Sequence, residues 1–323
     1  MYSFLYQHLI SRLPDKWVER LGGSFFKLST MIESKMIELP VTIAGIEFPN
    51  PMGMPAGWID TPSKLKTAHR LGVGIPTIKT ITYHGKKGNP YPRIIRDEAT
   101  MINSLGLPNK GLQWWIDHYN KPDYPTIISI KGNTPKEWIE LITGLEKKTE
   151  ILELNLSCPN IGDGILDIPA TKTLIEDITG VTSTPIFLKL SPEYSPKENV
   201  KLIASIRDQI SGITAINTRP VINSSLGNPT HQGGLSGPAI HSQLIDFLFG
   251  FRQEFPTMTD LPILATGGIT SGTEAWEIIE QYKSIPMGLT GFLTQGPGYY
   301  QKMVRFVLKQ LTTRDVLLTQ LLE

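Results

Sequence analysis

The one cysteine of this chain, Cys158, stands in the run Asn155-Leu156-Ser157-Cys158-Pro159-Asn160, directly after the apolar stretch Ile151 to Leu154. A lone thiol at the exit of a buried strand, flanked by amide side chains, has the setting of an acid/base or a nucleophile. A buried structural cysteine is the plainer alternative, because thiols pack as small hydrophobes. The polar neighbours and the proline argue against it. Lys79 and Lys189 close two further apolar runs, so their ammonium groups are expected in the same cavity. A lysine there either forms a Schiff base, as in an aldolase, or stays charged and stabilises negative charge on a cofactor or substrate. Lysines beside Asn103, Asn155, Asn160 and Asn217 favour the second role, because amides offer both donors and acceptors to a flat, amide-rich ring. The six histidines show no clustered ligand spacing and this set of residues lacks carboxylates, so no metal is expected.

Positioning these groups requires a repeating scaffold, and apolar runs of strand length alternate with helical periodicity eight times. The expected strands are Pro51 to Met54, Thr77 to Ile81, Thr126 to Ile130, Ile151 to Leu154, Ile186 to Leu190, Ile213 to Ile216, Pro262 to Ala265 and Met287 to Leu289. Helices are expected at Ser63 to Leu71, Leu112 to His118, Pro135 to Glu146, Thr171 to Thr179, Pro196 to Ile210, Ala239 to Phe251, Gly272 to Tyr282 and Tyr299 to Leu311. Strict alternation with almost wholly apolar strands argues for a parallel sheet covered by helices. The span from Pro51 to Leu311 is close to the ~250 residues of an eight-unit barrel, and a doubly wound open sheet is the rival. The polar residues decide between them: Ala56-Gly57, Lys79-Thr80, Lys131-Gly132, Asn155, Lys189, Asn217-Thr218, Gly267-Gly268 and Thr290-Gly291 all fall at the same end of successive strands. Barrel enzymes keep their sites at that mouth. The expected fold is therefore α/β, a (β/α)8 TIM barrel over residues 41–323 with an N-terminal helical extension over residues 1–40.

Gly267-Gly268 is read as opening the helix after the seventh strand, and Thr290-Gly291 follows the eighth. Backbone N–H groups at such positions cradle anions, and barrel loops seven and eight commonly bind phosphate. Ordinary turn glycines are the alternative, and the coincidence of both pairs at this place favours a phosphate-bearing cofactor or substrate. The connections Thr82 to Gly111 and Arg219 to Pro238 are too long for simple turns and read as functional lids or walls.

In the extension, apolar residues including Phe4, Leu9, Leu13, Trp17, Leu21, Phe25 and Phe26 recur at helical spacing, with a break at Leu13-Pro14-Asp15. A cap over one barrel end is the base-rate reading. An amphipathic hairpin making peripheral membrane contact through residues 1–38 and admitting a hydrophobic ligand is the sharper one. Lys+Arg 31 against Asp+Glu 30 give a formal net charge of +1, so no overall field recruits nucleic acid or an anionic membrane. A single cysteine excludes an intrachain disulfide and suits a cytoplasmic location. Met1 to Asp15 lacks the features of a signal peptide, and no spanning helix is expected. The outer helices are as compatible with a homodimer as with a monomer.

Six ordered stretches resemble the dihydroorotate dehydrogenase family of FMN-dependent barrels. They are Gly45 to Gly53, Gly88 to Arg93, Ile102 to Asn109, Asn155 to Asn160, Gly233 to Gly237 and Thr266 to Ile269. The resemblance implies FMN as cofactor, dihydroorotate as substrate and orotate as product. It implies that Cys158, with Ser157 as a proton neighbour and Lys79 close by, takes a proton from C5 of dihydroorotate while hydride leaves C6 for N5 of FMN. Lys79, Asn103, Gly106, Leu107, Asn155, Asn160, Asn217 and Thr218 match substrate positions. Ala56, Gly57, Lys79, Thr80, Asn103, Asn155, Lys189, Asn217, Gly237, Gly267, Gly268, Thr290 and Gly291 match flavin positions. Cys158, Lys79 and the stretch Ser104 to Asn109 resemble the soluble class of the family. The extension, Gly233 to Gly237 and Thr290-Gly291-Phe292 resemble the membrane-associated class, and Ile161-Gly162-Asp163-Gly164 matches neither class's loop. The electron acceptor expected is accordingly fumarate or a quinone, with the soluble class preferred. Other functions compatible with the residues are a tRNA dihydrouridine synthase, a lysine-dependent aldolase and a non-catalytic flavin-binding barrel.

Overall fold

The computed structural model describes residues 13–14, 16–17, 26–27, 36–97, 99–156, 167–255 and 260–322. Eight strands close into a barrel: β1 (Gly53–Ile59), β2 (Ile75–Thr82), β3 (Ile127–Lys131), β4 (Ile151–Asn155), β5 (Ile186–Lys189), β6 (Gly212–Ala215), β7 (Ile263–Thr266) and β8 (Ile285–Met287). Every neighbouring pair is parallel and follows chain order, with β8 meeting β1 through Met287 and Gly53. Closure settles the architecture in favour of the barrel. The strands are mostly apolar because one side packs inside the barrel and the other lies under helices, with buried polar exceptions such as Ser129, Glu153 and Thr214 on the inward side. Ile127, Ile128, Ile130, Ile151, Leu152, Leu154 and Ile213 are all fully buried.

The helices are α1 (Pro62–Arg70), α2 (Leu112–His118), α3 (Pro135–Leu145), α4 (Ile168–Thr179), α5 (Pro196–Ile206), α6 (His241–Glu254), α7 (Gly272–Tyr282), α8 (Thr290–Gln295), α9 (Tyr299–Arg314) and α10 (Leu318–Leu322). Their starts are local: the Thr61, Thr134, Ser195 and Ser271 side chains each accept from the N–H three residues on. Three expected helices lose an end to a 3₁₀ turn, the first being α3, which stops at Leu145 before the turn Glu146–Lys148. Arg207–Gln209 and Pro238–Ile240 wind into 3₁₀ turns, so α5 ends at Ile206 and α6 begins at His241.

The two long connections are not independent lids. Ile94–Asp97, Thr100–Asn103, Gln232–Ser236 and Arg219–Ile222 pair into one four-stranded antiparallel sheet at the C-terminal rim of the barrel. His84–Lys86 pairs with Asn109–Gly111 beside it. Ahead of β1, Val41–Ile43 and Ile46–Phe48 form a hairpin that the sequence reading assigned to no element. Its turn places Ala44 and Gly45 at φ 51° and 78°, the left-handed pair that matches strand twist in a two-residue hairpin.

Most of the expected helical extension lies outside the described residues. Within it, Lys16, Trp17, Phe26 and Lys27 are helical. Phe26 is 3 % exposed and packs on Trp58 and Phe292, with ring centroids 5.5 Å and 4.4 Å away. Among the described residues no helix is long and apolar enough to cross a membrane.

Candidate active site

The C-terminal ends of β2 to β5 form one arc of the mouth. Between β2 and β3 the register passes from Ile78 opposite Ile128 to Ile81 opposite Ile130, so Lys79 and Thr80 together face Ser129. Such a two-against-one bulge re-aims side chains. It directs Thr80 into the barrel, where its Oγ1 lies 3.0 Å from Ser129 Oγ and accepts a 3.0 Å hydrogen bond from Asn155 Nδ2. Asn155 stands in register with Lys189 of β5, and Lys189 with Thr214 of β6. Lys79 and Lys189 are 8 % and 6 % exposed. One layer deeper, the fully buried Glu153 accepts from Thr214 Oγ1 at 2.8 Å. Two inward-facing cations are thus embedded in amides and hydroxyls, a donor set made for an anionic planar group.

The rim sheet supplies the opposite wall. Asn103 Nδ2 donates to Gly234 O at 3.1 Å, and a Cβ on Gly234 would collide with Thr218. Asn103 and Thr218, far apart in sequence, therefore converge on one glycine. Asn217, beside them, accepts from the Thr218 N–H at 2.8 Å through its Oδ1. Gly106 and Leu107 turn through left-handed φ values of 68° and 52°. Asn89 Nδ2 donates to Ser104 on one side of this turn, and Asn109 Nδ2 donates to Leu107 O at 2.8 Å on the other.

The glycine end is built differently from the sequence reading. Gly267-Gly268 does not open α7. That helix starts at Gly272 and is closed by a capping box: Ser271 Oγ accepts from Glu274 N, and the Glu274 carboxylate accepts from Thr270 N and Ser271 N ahead of the helix. The capping box thus occupies the start of α7 four residues beyond Gly268. Gly268 (φ 69°) instead lies against Gly237 (φ 91°), and a Cβ on Gly268 would sit 2.8 Å from both Gly237 O and His241 N. Thr290 Oγ1 donates to Ser236 Oγ at 3.0 Å, and Ser236 Oγ donates to Met101 O at 3.2 Å, joining the eighth loop to the rim sheet. α8 begins after Leu289 with no side-chain cap. Gly57 permits the approach of Leu289, whose Cδ2 a Cβ would meet at 2.7 Å. Gly291 permits the approach of the Tyr299 ring.

Ser129, Ser236, Tyr299 and Tyr300 were not singled out from the sequence. Tyr299 and Tyr300 brace the two loops from below, donating to Ile269 O at 2.6 Å and to Gly288 O. Burial holds both phenols well above their ordinary pKa. The signal available for Ser129 was its position two residues before Lys131 on an otherwise apolar strand. Nothing local marked the tyrosines. Ser157, Cys158 and Asn160 lie outside the described residues, as do residues 161–166 of the loop that follows. Asp167 caps α4 through a 2.9 Å bond from Ala170 N.

Fold and site together define a (β/α)8-barrel enzyme whose mouth joins buried lysines and amides to a glycine-lined cradle. Comparison with known proteins narrows the class. Residues 38–311 match the family described as dihydroorotate dehydrogenase. The catalytic subunit of dihydroorotate dehydrogenase B (NAD(+)) from Pyrococcus furiosus is 30% identical over 261 residues, covering 75% of this chain and 83% of that one. Its counterpart from Methanocaldococcus jannaschii is 28% identical over 307 residues, covering 88% and 96%. A putative dihydroorotate dehydrogenase A (fumarate) from Pediococcus pentosaceus is 28% identical over 267 residues, covering 76% and 85%. The chain belongs to the dihydroorotate dehydrogenase family, flavin-dependent oxidoreductases that oxidise dihydroorotate to orotate in pyrimidine biosynthesis.

Proposed function

We propose that this chain carries out the family's oxidation of dihydroorotate with FMN held across the mouth and Cys158 as base. The observation that carries the reading is the bonded chain Ser129, Thr80 and Asn155 set between the buried Lys79 and Lys189. FMN fits this donor set: the lysines and amides suit its ring system, and the Gly237, Gly268 and Thr290 region suits its phosphate. Ala56, Gly57, Thr80, Gly267 and Gly291 complete the proposed flavin contacts. When bound, FMN supplies the hydride acceptor.

The chain's own residues do the rest. Asn103, Asn155, Asn160, Asn217 and Thr218, with the Gly106-Leu107 turn, hold the pyrimidine ring. Lys79 stabilises negative charge developing between substrate and cofactor. Cys158 takes the C5 proton. An ordinary thiol titrates near pKa ~8.5 and is a poor base at neutral pH unless its thiolate is favoured or the proton passes through a neighbour such as Ser157. Closure of the loop after Asn160 would exclude water and strengthen these polar contacts.

For the acceptor, we favour the soluble class and a soluble oxidant. The relatives named for NAD(+) and for fumarate support it. One observation favours a quinone as second reading: Phe26 brings part of the N-terminal segment against Trp58 and Phe292, next to Gly57 and Gly291. The principal experiment is the visible spectrum of the purified protein before and after anaerobic dihydroorotate. A yellow protein that bleaches supports the reading. A colourless protein, or a yellow one that dihydroorotate leaves unchanged, refutes it. Turnover with fumarate and with a short-chain quinone, in wild type and in Phe26→Ala, separates the acceptors: only quinone turnover should suffer from the variant if the second reading holds.

A further inference from the structure

Three lysines end inward-facing positions on the arc from β2 to β5, and the reaction scheme above uses only two of them. The third, Lys131, closes β3. It stands in register with Thr82 of β2, and its neighbour Ile130 with Leu154 of β4, so Lys131 lies beside Asn155. Strand alternation puts it on the same face as Ser129, whose hydroxyl meets Thr80 inside the barrel. Lys131 is 6 % exposed, yet its ammonium has no hydrogen bond or ion pair among the described residues. The one carboxylate on the inward face of β4, Glu153, binds Thr214 instead. The Lys131 stem is buried while its ammonium is not among the sealed, unpartnered polar atoms, so the charge opens to the mouth; a cation held there with no counter-charge among the described residues is matched to an anion that arrives with the ligand.

Its surroundings indicate which anion. On one flank, Thr82 is bonded to Asn109 in both directions, Thr82 N to Oδ1 at 3.2 Å and Nδ2 to Thr82 Oγ1 at 2.9 Å, which fixes the end of the Asn103 to Asn109 stretch. On the other flank is Asn155. Both neighbours belong to elements that carry the proposed pyrimidine contacts, whereas the glycine cradle is built from the loops after β6, β7 and β8. We propose that Lys131 is a specificity-determining residue of the pyrimidine site, its ammonium binding the carboxylate of dihydroorotate and of orotate. This rests on the function proposed above and adds a residue to it.

The test uses the full flavin-loaded protein and measures the dissociation constants of orotate and of its neutral carboxamide from the perturbed flavin spectrum. Lys131→Met is expected to weaken orotate roughly 10- to 100-fold, the range for losing one charged hydrogen bond, and to leave the carboxamide unchanged. Lys131→Arg should restore orotate binding to within a few-fold. If Lys131→Met fails to hold flavin, Lys131→Gln replaces it. Orotate binding unchanged in the neutral variant overturns the inference, as does an equal loss for orotate and carboxamide, the mark of a structural role. If wild type retains flavin but neither binds orotate nor is reduced by dihydroorotate, the function reading itself has failed and this inference falls with it.

Discussion

Replacing Gly268 by alanine asks whether the glycine cradle is shaped by backbone proximity. The added Cβ meets two costs. The first is conformational: φ of 69° lies in the left-handed region, where an L side chain costs about 1–2 kcal/mol. The second is steric. The Cβ would stand 2.8 Å from Gly237 O and from His241 N, both backbone atoms. Gly237 has little room to retreat, since its own Cβ position is already 2.5 Å from Ala99 O. Overpacking of this kind adds about 1–3 kcal/mol, giving roughly 2–5 kcal/mol in all. Gly45→Ala isolates the first cost, because Gly45 has φ 78° and nothing within 4 Å of its Cβ position. At about 2 °C per kcal/mol for a chain of this size, Gly45→Ala should lower Tm by about 2–4 °C and Gly268→Ala by about 4–10 °C. Part of the Gly268 strain is relieved if the loops part when flavin leaves. Each 1.4 kcal/mol so relieved weakens flavin binding about tenfold. Differential scanning calorimetry and flavin titration of both variants are the assays. Equal Tm shifts together with wild-type flavin affinity in Gly268→Ala would show that the contact between these two glycines does not shape the cradle.

Three further outcomes are expected. Cys158→Ala should keep bound flavin and lose most flavin reduction by dihydroorotate, and unchanged stopped-flow reduction would remove Cys158 from the role of base. Tyr299→Phe leaves Ile269 O without its buried donor, costing about 1–2 kcal/mol, and should lower both Tm and flavin affinity. A loss confined to Tm would mean that the tyrosine supports only the fold. Burial lowers the His69 pKa below its usual 6.5, with Asp123 opposing, and the ring stacks on Tyr124 at 3.7 Å. The folded state therefore takes up this proton at lower pH than the unfolded chain does. The stability held by neutral His69 is present above about pH 6.5 and is lost as pH falls from there through the folded value. The Tm of wild type relative to His69→Phe should fall on acidification from pH 7.5 to 5.5, and a constant difference would contradict the shift.

The barrel could be read from the chain because its information is local. A parallel strand buried on both faces must be apolar over four or five residues, and a covering helix must repeat its apolar positions every three or four. Helix starts such as Thr134 and Ser195 are likewise written within one turn. The same locality placed Lys79, Asn155 and Lys189 at strand ends, and therefore at one mouth. It failed for Gly267-Gly268, which was assigned to a helix start that Ser271 and Glu274 close for themselves. It also missed the rim sheet.

What the sequence by itself determined is the order of the strands, the end at which polar groups gather, and the family to which the chain belongs. Only tertiary structure decided that Asn103 meets Gly234 and Thr218, that a bulge turns Thr80 towards Ser129 and Asn155, and that Lys131 is buried beside them with no partner among the described residues. The physical reason is range. A backbone N–H at a sheet edge is satisfied by whichever segment arrives there, and no residue near Asn103 encodes that the arriving segment is Gln232–Ser236. Charge burial depends in the same way on strands brought together by closure of the barrel, so a lysine's cost and its use are set by neighbours that its own stretch of sequence does not contain.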